Sequence, residues 1–222
     1  MRATLWADLN KDVYYRWGGE DAFFKEFPNG EHPDVRSFEA DGTGGLSWPI
    51  VEPGEGFDDI KATTEAASTQ CGRQGFVIGG FGNATTDGRF RNAKRVPVPG
   101  IVKWDMETNQ WSNDSTAAIT PDSGGTLLGA KAVCVEGSDE APLVFALGGT
   151  TTSAASVEND VFTDMKNITF WDPHYREWHS QTARGDVVDK REHSCAVSAR
   201  GSESHEMLVP LFLPIHATDI LN

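Results

Sequence analysis

The sequence predicts an all-β chain built from repeated four-stranded antiparallel units. Three observations carry that reading. Short apolar runs end in glycine pairs at Gly18–Gly19, Gly79–Gly80 and Gly148–Gly149, which lie 61 and 69 residues apart. A Trp follows the second Gly of each pair by 29, 31 and 29 residues, at Trp48, Trp111 and Trp178. No stretch sustains the 3.6-residue apolar period of a helix.

Each element follows from local chemistry. The runs VYYRWGG, GFVIGG and LVFALGG have strand length and are bounded by turn residues. A glycine pair at a strand end lets backbones approach where a side chain would clash. Seven residues ahead of the last two landmark Trp stand Trp104–Asp105 and Trp171–Asp172; in the first unit Phe38 is the nearest equivalent, ten residues ahead. The run IVKWDMETNQW reads as strand, turn, strand. Asp105 is placed to accept hydrogen bonds from the turn amides, with Thr108 and Asn109 supplying turn chemistry. WDPHYREW repeats the design, with Pro173 preset for the turn. Cys71 and Cys134 each lie 23 residues after a landmark Trp, and Cys195 lies 17 after the third. Each unit is therefore expected to hold one strand around the Cys, one ending in the glycine pair, and the aromatic hairpin. The approximate units are 1–49, 50–113, 114–180 and 181–222, the last incomplete and departing from the repeat after 207.

Composition excludes several function classes. The 222 residues carry a net charge of −14. That balance offers no means of replacing counterions on a nucleic-acid backbone or of docking on an anionic membrane. No apolar run approaches the roughly 18 residues of a membrane helix, and MRATLWADLNK contains no apolar signal-peptide region. Three Cys cannot all pair within one chain and are not expected to form a disulfide framework; they read as small packing residues at one repeat-equivalent strand position.

A glycine pair, then an aromatic–Asp, then a Trp resembles the kelch repeat of β-propellers. The opening LWADLNKDVYYRWGGE is similar to blades of kelch proteins with galactose-oxidase-like propellers, common in fungi. The resemblance runs from Leu5 to Met207 and implies a kelch-type β-propeller of about three and a half blades. The spacings exceed the usual kelch period of about 50, so Phe81 to Pro99 and Thr150 to Asp164 are expected to be long loops. An incomplete ring implies a fragment of a longer propeller, or two copies that self-associate to close it.

The resemblance also names an enzyme alternative, a metal-dependent oxidase or lyase-like propeller. Galactose oxidase needs a Tyr cross-linked to a Cys, with Tyr and His ligands at the axis. Here Tyr14 and Tyr15 lie in a glycine-pair strand and Tyr175 in a hairpin turn. His193 and Cys195 read as neighbours on one strand face and with His205 offer a candidate metal set, but no second paired motif supports it and they read as ordinary strand residues. His174 and His179 read as surface groups flanking a hairpin. GGFGNATTDG opens no helix and lacks the Lys of a phosphate loop. Asp58–Asp59 and Glu136 to Glu140 read as solvated turns. No catalytic, cofactor or metal residue is assigned.

Three N-glycosylation sequons occur at Asn83, Asn113 and Asn167. Asn83 falls in a long loop and Asn113 at a blade edge, both suited to accept a glycan; Asn167 precedes a strand core and suits it less. The sequence leaves the compartment open between a secretory or cell-surface parent and the cytoplasm. The functional expectation is a non-enzymatic scaffold that binds a protein or glycan through the two long loops. A truncated, nonfunctional product is the third reading.

Overall fold

Glycine pairs and Asp-led turns cut the chain into short strands, and a computed structural model shows how they pair. It describes residues 3–20, 25–114, 125–136, 142–153, 156–186, 188–200 and 205–208. The strands β1 (Thr4–Asp8), β2 (Val13–Trp17), β3 (Arg36–Ala40) and β4 (Leu46–Ser47) form a first antiparallel sheet in chain order. Next come β5 (Ala67–Cys71) and β6 (Gln74–Ile78), a small hairpin β7 (Phe81–Gly82) with β8 (Val96–Pro97), then β9 (Ile101–Asp105) and β10 (Gln110–Asp114). Strands β5, β6, β9 and β10 make the second sheet. The third unit contains β11 (Thr126–Leu128), β12 (Lys131–Val135), β13 (Leu143–Leu147), β14 (Thr150–Ser153), β15 (Ser156–Phe162), β16 (Asn167–Asp172) and β17 (Glu177–Thr182). Its main sheet is β12, β13, β16 and β17, while β11, β14 and β15 form a side sheet. A pair, β18 (Val197–Arg200) and β19 (His205–Leu208), is the last described. The fold is all-β, with three four-stranded antiparallel meanders.

The sheets pack face to face because alternate side chains serve alternate neighbours. Trp6, Tyr15 and Trp17 of the first sheet meet Val77, Trp104 and Trp111 of the second in one buried cluster. Trp104 and Trp111 stack with centroids 5.0 Å apart, and Tyr15 meets Trp104 edge-on at 4.8 Å. Phe76, Ile78 and Ile101 leave the other face of the second sheet to meet Val144, Ala146 and Trp171 of the third. The first strands are also tied directly. The Trp6 indole N–H donates to the Thr69 carbonyl at 3.0 Å, and the Gln70 side chain bonds both main-chain groups of Ala7.

The glycine pairs do more than end strands. All six glycines lie at positive φ, between 66° and 95°. Each pair also touches the segment leading into the next sheet: Gly19, Gly80 and Gly149 donate their N–H to Thr63, Leu127 and Arg191, at 2.9, 2.9 and 2.7 Å. A Cβ on Gly149 would stand 2.4 Å from the Leu128 carbonyl oxygen. Two residues after each acceptor comes a left-handed residue, Glu65, Gly129 or His193. These three are linked in turn, Gly129 N–H to the Glu65 carbonyl at 2.8 Å and His193 N–H to the Gly129 carbonyl at 2.7 Å. The repeat expected from the glycines is thus carried by a hydrogen-bond register between successive sheets.

The landmark aromatics keep one register. Trp104 pairs with Gly75, Trp171 with Val144 and Phe38 with Tyr14, each opposite the second residue of its glycine-pair strand. Trp104 and Trp171 point toward the preceding sheet. Phe38 points the same way but, among the described residues, meets no preceding sheet. Trp48 follows β4 and packs on Phe38 at 4.4 Å, and with Leu5 and Tyr14 it is left exposed. Trp178 pairs with Trp171 as Trp111 pairs with Trp104. The turns follow expectation: Asp105 accepts from the amides of Glu107 and Thr108, and Asp172 from those of His174 and Tyr175. Burial pushes the Asp105 carboxyl up, but the Thr108 and Glu107 amides outweigh it and hold the group below its ordinary value.

The cysteines depart from expectation. Cys71 and Cys134 form a disulfide with their Cα atoms 5.5 Å apart, joining the first strands of the second and third sheets. Cys195 is neither buried nor on a strand; it is exposed and precedes β18. His193 and Cys195 therefore share no strand face: His193 holds the left-handed junction, where its N–H is needed by Gly129. The His205 side chain lies outside the described residues, as do Glu136 to Glu140 beyond Glu136 itself.

Candidate binding surface

The glycine pairs all end their strands at one end of the sheets, so the connections that follow them gather there. Two are the segments Phe81 to Pro99 and Thr150 to Asp164. The first is not the free loop expected. Ala84, Thr86, Asp87, Gly88, Phe90 and Val98 are buried. Asp87 is the anchor: one carboxylate oxygen accepts from the Arg89 amide and Nε at 3.0 and 2.9 Å, and the other from Arg89 Nη2 and from the Ala62 amide at 3.1 Å. Arg89 goes on to donate to the Asp58 and Ile60 carbonyls. Phe27 N–H bonds the Ala84 carbonyl and Gly88 N–H the Glu31 carbonyl, so the segment is stitched into the first unit. A fully buried carboxylate that accepts four hydrogen bonds is a structural anchor, so this stretch is packed against the first unit rather than standing free.

The second segment is built differently. Strands β14 and β15 pair as a hairpin, and β14 pairs with β11, leaving β15 at the edge among the described residues. Thr150 and Thr152 are buried beneath it, whereas Val161 is 64% and Phe162 45% exposed. Beside them Arg95 reaches across from the first segment to Asp160 at 2.9 Å, lies near Glu65, and covers the Phe81 ring at 5.0 Å. The ion pair fixes the hairpin against its neighbour and sets a charged rim next to two apolar side chains. A recess of about 420 Å³, lined by Leu127, Gly148, Thr163, Met165 and Asn167, opens at the hairpin base. Sequence reading missed this arrangement because Arg95 and Asp160 are far apart in the chain and neither sits in a motif.

The remaining candidates are dispersed. Tyr14 and Tyr15 face opposite sides of β2, and Tyr15 is raised above the ordinary phenol value by burial, then by the charges of Asp8 and Glu39. Tyr175, His174 and His179 are exposed at the hairpin joining β16 and β17. Asp58 and Asp59 lie in a short 3-10 turn. Among the described residues no group of three His, Cys, Asp or Glu side chains converges. Asn113 is exposed on β10 and Asn167 is exposed at the start of β16, so Asn167 is not sheltered as its position before a strand core suggested. Asn83, expected in a long loop, is half-buried and bonds Glu20 and Thr85. No protein-family model matches this chain, and no curated protein is similar enough to match it.

Proposed function

We propose that the three meanders are blades of a kelch-type β-propeller acting as a non-enzymatic scaffold, and that its partner is a protein segment docking on β15. The exposed aromatic face of the first sheet supports the propeller reading, because Phe38 and Trp48 are poised to pack on a preceding blade as Trp104 and Trp111 do. The observation that carries the partner reading is the outer edge of β15, which pairs with no further strand among the described residues, with Val161 and Phe162 of that strand exposed. An edge strand offers unpaired main-chain groups to an extended peptide, and adjacent apolar side chains supply selectivity. Burying them on a partner also removes an aggregation liability. A protein fits this edge better than a glycan, since sugars cannot continue the ladder.

The test places a photoreactive residue at Val161 in the full chain, and at Leu9 as control. Leu9 is 78% exposed in the turn between β1 and β2, at the opposite end of the sheets. A discrete protein adduct from position 161 that Phe162→Asp removes is the expected result. Equal adducts from both positions, or adducts indifferent to Phe162→Asp, would reject the placement.

A further inference from the structure

We infer that this protein matures in an oxidising secretory compartment and carries N-linked glycans on Asn113 and Asn167 but not on Asn83. Two independent observations meet here. The first is the Cys71–Cys134 disulfide. Both half-cystines are almost fully buried, at 4% and 8% exposure, within the cluster that joins the second and third sheets. Structural disulfides of this kind persist where thiols are oxidised and are rare where glutathione and thioredoxin keep them reduced. Forming it takes two protons and two electrons from the two thiols, which pass to the disulfide of a thiol oxidoreductase as that is reduced to its dithiol.

The second observation is how the fold treats the three sequons. The side-chain amide nitrogen of a sequon Asn loses one proton and takes C1 of the first sugar from a polyprenyl-pyrophosphate-linked oligosaccharide. The new N–C bond forms as the bond from C1 to the pyrophosphate oxygen breaks, and the lipid pyrophosphate leaves. A modified Asn therefore keeps one N–H and its carbonyl oxygen, and must have open solvent beside the nitrogen. Asn113 meets this condition on β10, the last strand of its sheet, where it is exposed. Asn167 meets it as well. Its Nδ2 donates to Asp164 at 3.2 Å, a bond that the one remaining N–H can retain, and its oxygen accepts from Thr182 at 3.2 Å without using the nitrogen.

Asn83 does not meet it. Its hydrogen bonds, one from Nδ2 to Glu20 at 3.2 Å and two accepted by its oxygen from Thr85 at 2.8 and 2.7 Å, would allow a glycan as those of Asn167 do, but Asn83 is half-buried where Asn167 is exposed. The following Ala84, Thr86 and Asp87 are all buried. A sugar on that nitrogen would have to be housed in the same turn that supports the Asp87 anchor. Folded molecules are therefore those left unmodified at this position.

The experiment uses the native protein from its own cells. Free thiols are alkylated without reduction, the protein is digested, and N-glycans are released by an amidase in heavy-oxygen water, which converts each modified Asn to labelled Asp. The expected map shows labelled Asp at 113 and 167, ordinary Asn at 83, and a cross-linked peptide pair holding Cys71 and Cys134. Alkylated Cys71 and Cys134, ordinary Asn at either 113 or 167, or label at 83 would each overturn the inference. In addition, Asn113→Gln and Asn167→Gln should each remove one step of gel mobility, and Asn83→Gln none.

Discussion

Removing the Asp87 carboxylate should destabilise the whole first half of the chain. Asp87 has no solvent exposure, and Asp87→Ala takes away four hydrogen bonds at once. The Ala62 N–H, on a residue with 0% exposure, is left without its acceptor. An orphaned buried amide costs about 1–3 kcal/mol. The Arg89 amide loses its capping acceptor at the start of a 3-10 turn, a loss of about 0.5–2 kcal/mol. The Arg89 guanidinium loses its counter-charge but keeps the Asp58 and Ile60 carbonyls and is 23% exposed, so it can rehydrate in part. These contributions place the total near the roughly 3–5 kcal/mol typical of breaking one side of a buried ion pair.

Against a net stability of about 5–15 kcal/mol, that is a large fraction. With about 2–4 °C lost per kcal/mol in a chain this long, the melting midpoint should fall by on the order of 10 °C. The assay is unfolding by heat and by urea, both followed by Trp fluorescence, since Trp6, Trp17, Trp104 and Trp111 sit in the cluster between the first two sheets. Two controls give the number meaning. Asp58→Asn alters a side chain 92% exposed and should move the midpoint little. The pair Asp87→Ala with Arg89→Leu should cost less than the sum of its singles, by about 0.5–3 kcal/mol of coupling. A midpoint for Asp87→Ala indistinguishable from the parent would mean that residues 81–99 are not stitched into the fold.

Three further predictions test the inter-sheet contacts and the turns. A Cβ at Gly75 would lie 2.5 Å from the Trp6 indole, so Gly75→Ala should lower stability by about 1–3 kcal/mol through overpacking; an unchanged urea midpoint would show that the first two sheets are looser than described. Replacing Cys71 and Cys134 together by Ala opens a cross-link spanning 63 residues, worth about 4 kcal/mol in the chain-entropy account. Cys195→Ser should leave the non-reducing midpoint alone, and equal behaviour of the two variants would argue against the bond. For Asp105 the folded carboxyl lies below its unfolded value, so its contribution is fully present above about pH 4 and is lost as pH falls through the folded value. Wild type should therefore lose its advantage over Asp105→Asn on acidification, as measured by unfolding at a series of pH values; an advantage that grew toward low pH would reverse the sign of the reasoning.

Much of the architecture was legible because turn chemistry is local. A glycine pair, an Asp two residues ahead of a turn amide, and a Trp at fixed distance each report on their own few residues, and their recurrence marks the sheets. Long-range polar contacts leave no such trace. Nothing near Arg95 indicates that Asp160 will meet it, and the Asp87 carboxylate is indistinguishable in sequence from a solvated turn residue. Length misleads in the same way: 19 residues from Phe81 to Pro99 read as a loop by count, whereas burial of Phe90 and Val98 makes them part of the core.

The cysteines show where repeat reasoning itself needs the strand period. Residues at strictly equivalent positions of successive sheets point the same way, so two equivalent cysteines could never face each other. Measured from the left-handed residue that opens each unit, Cys71 stands six places after Glu65 and Cys134 five places after Gly129. A one-residue offset in a strand turns the side chain to the opposite face. Cys71 therefore faces forward from the second sheet, Cys134 backward from the third, and the two thiols meet in the shared core. Counting from Trp instead conceals the offset, because both intervals are 23 residues. The shorter interval to Cys195 was the visible signal that the third Cys is a different kind of residue. Five places after His193 stands Ser198, whose hydroxyl donates to the Cys134 carbonyl at 2.7 Å. The position is thus used again at the third junction, with a hydrogen bond where the second junction has a covalent one.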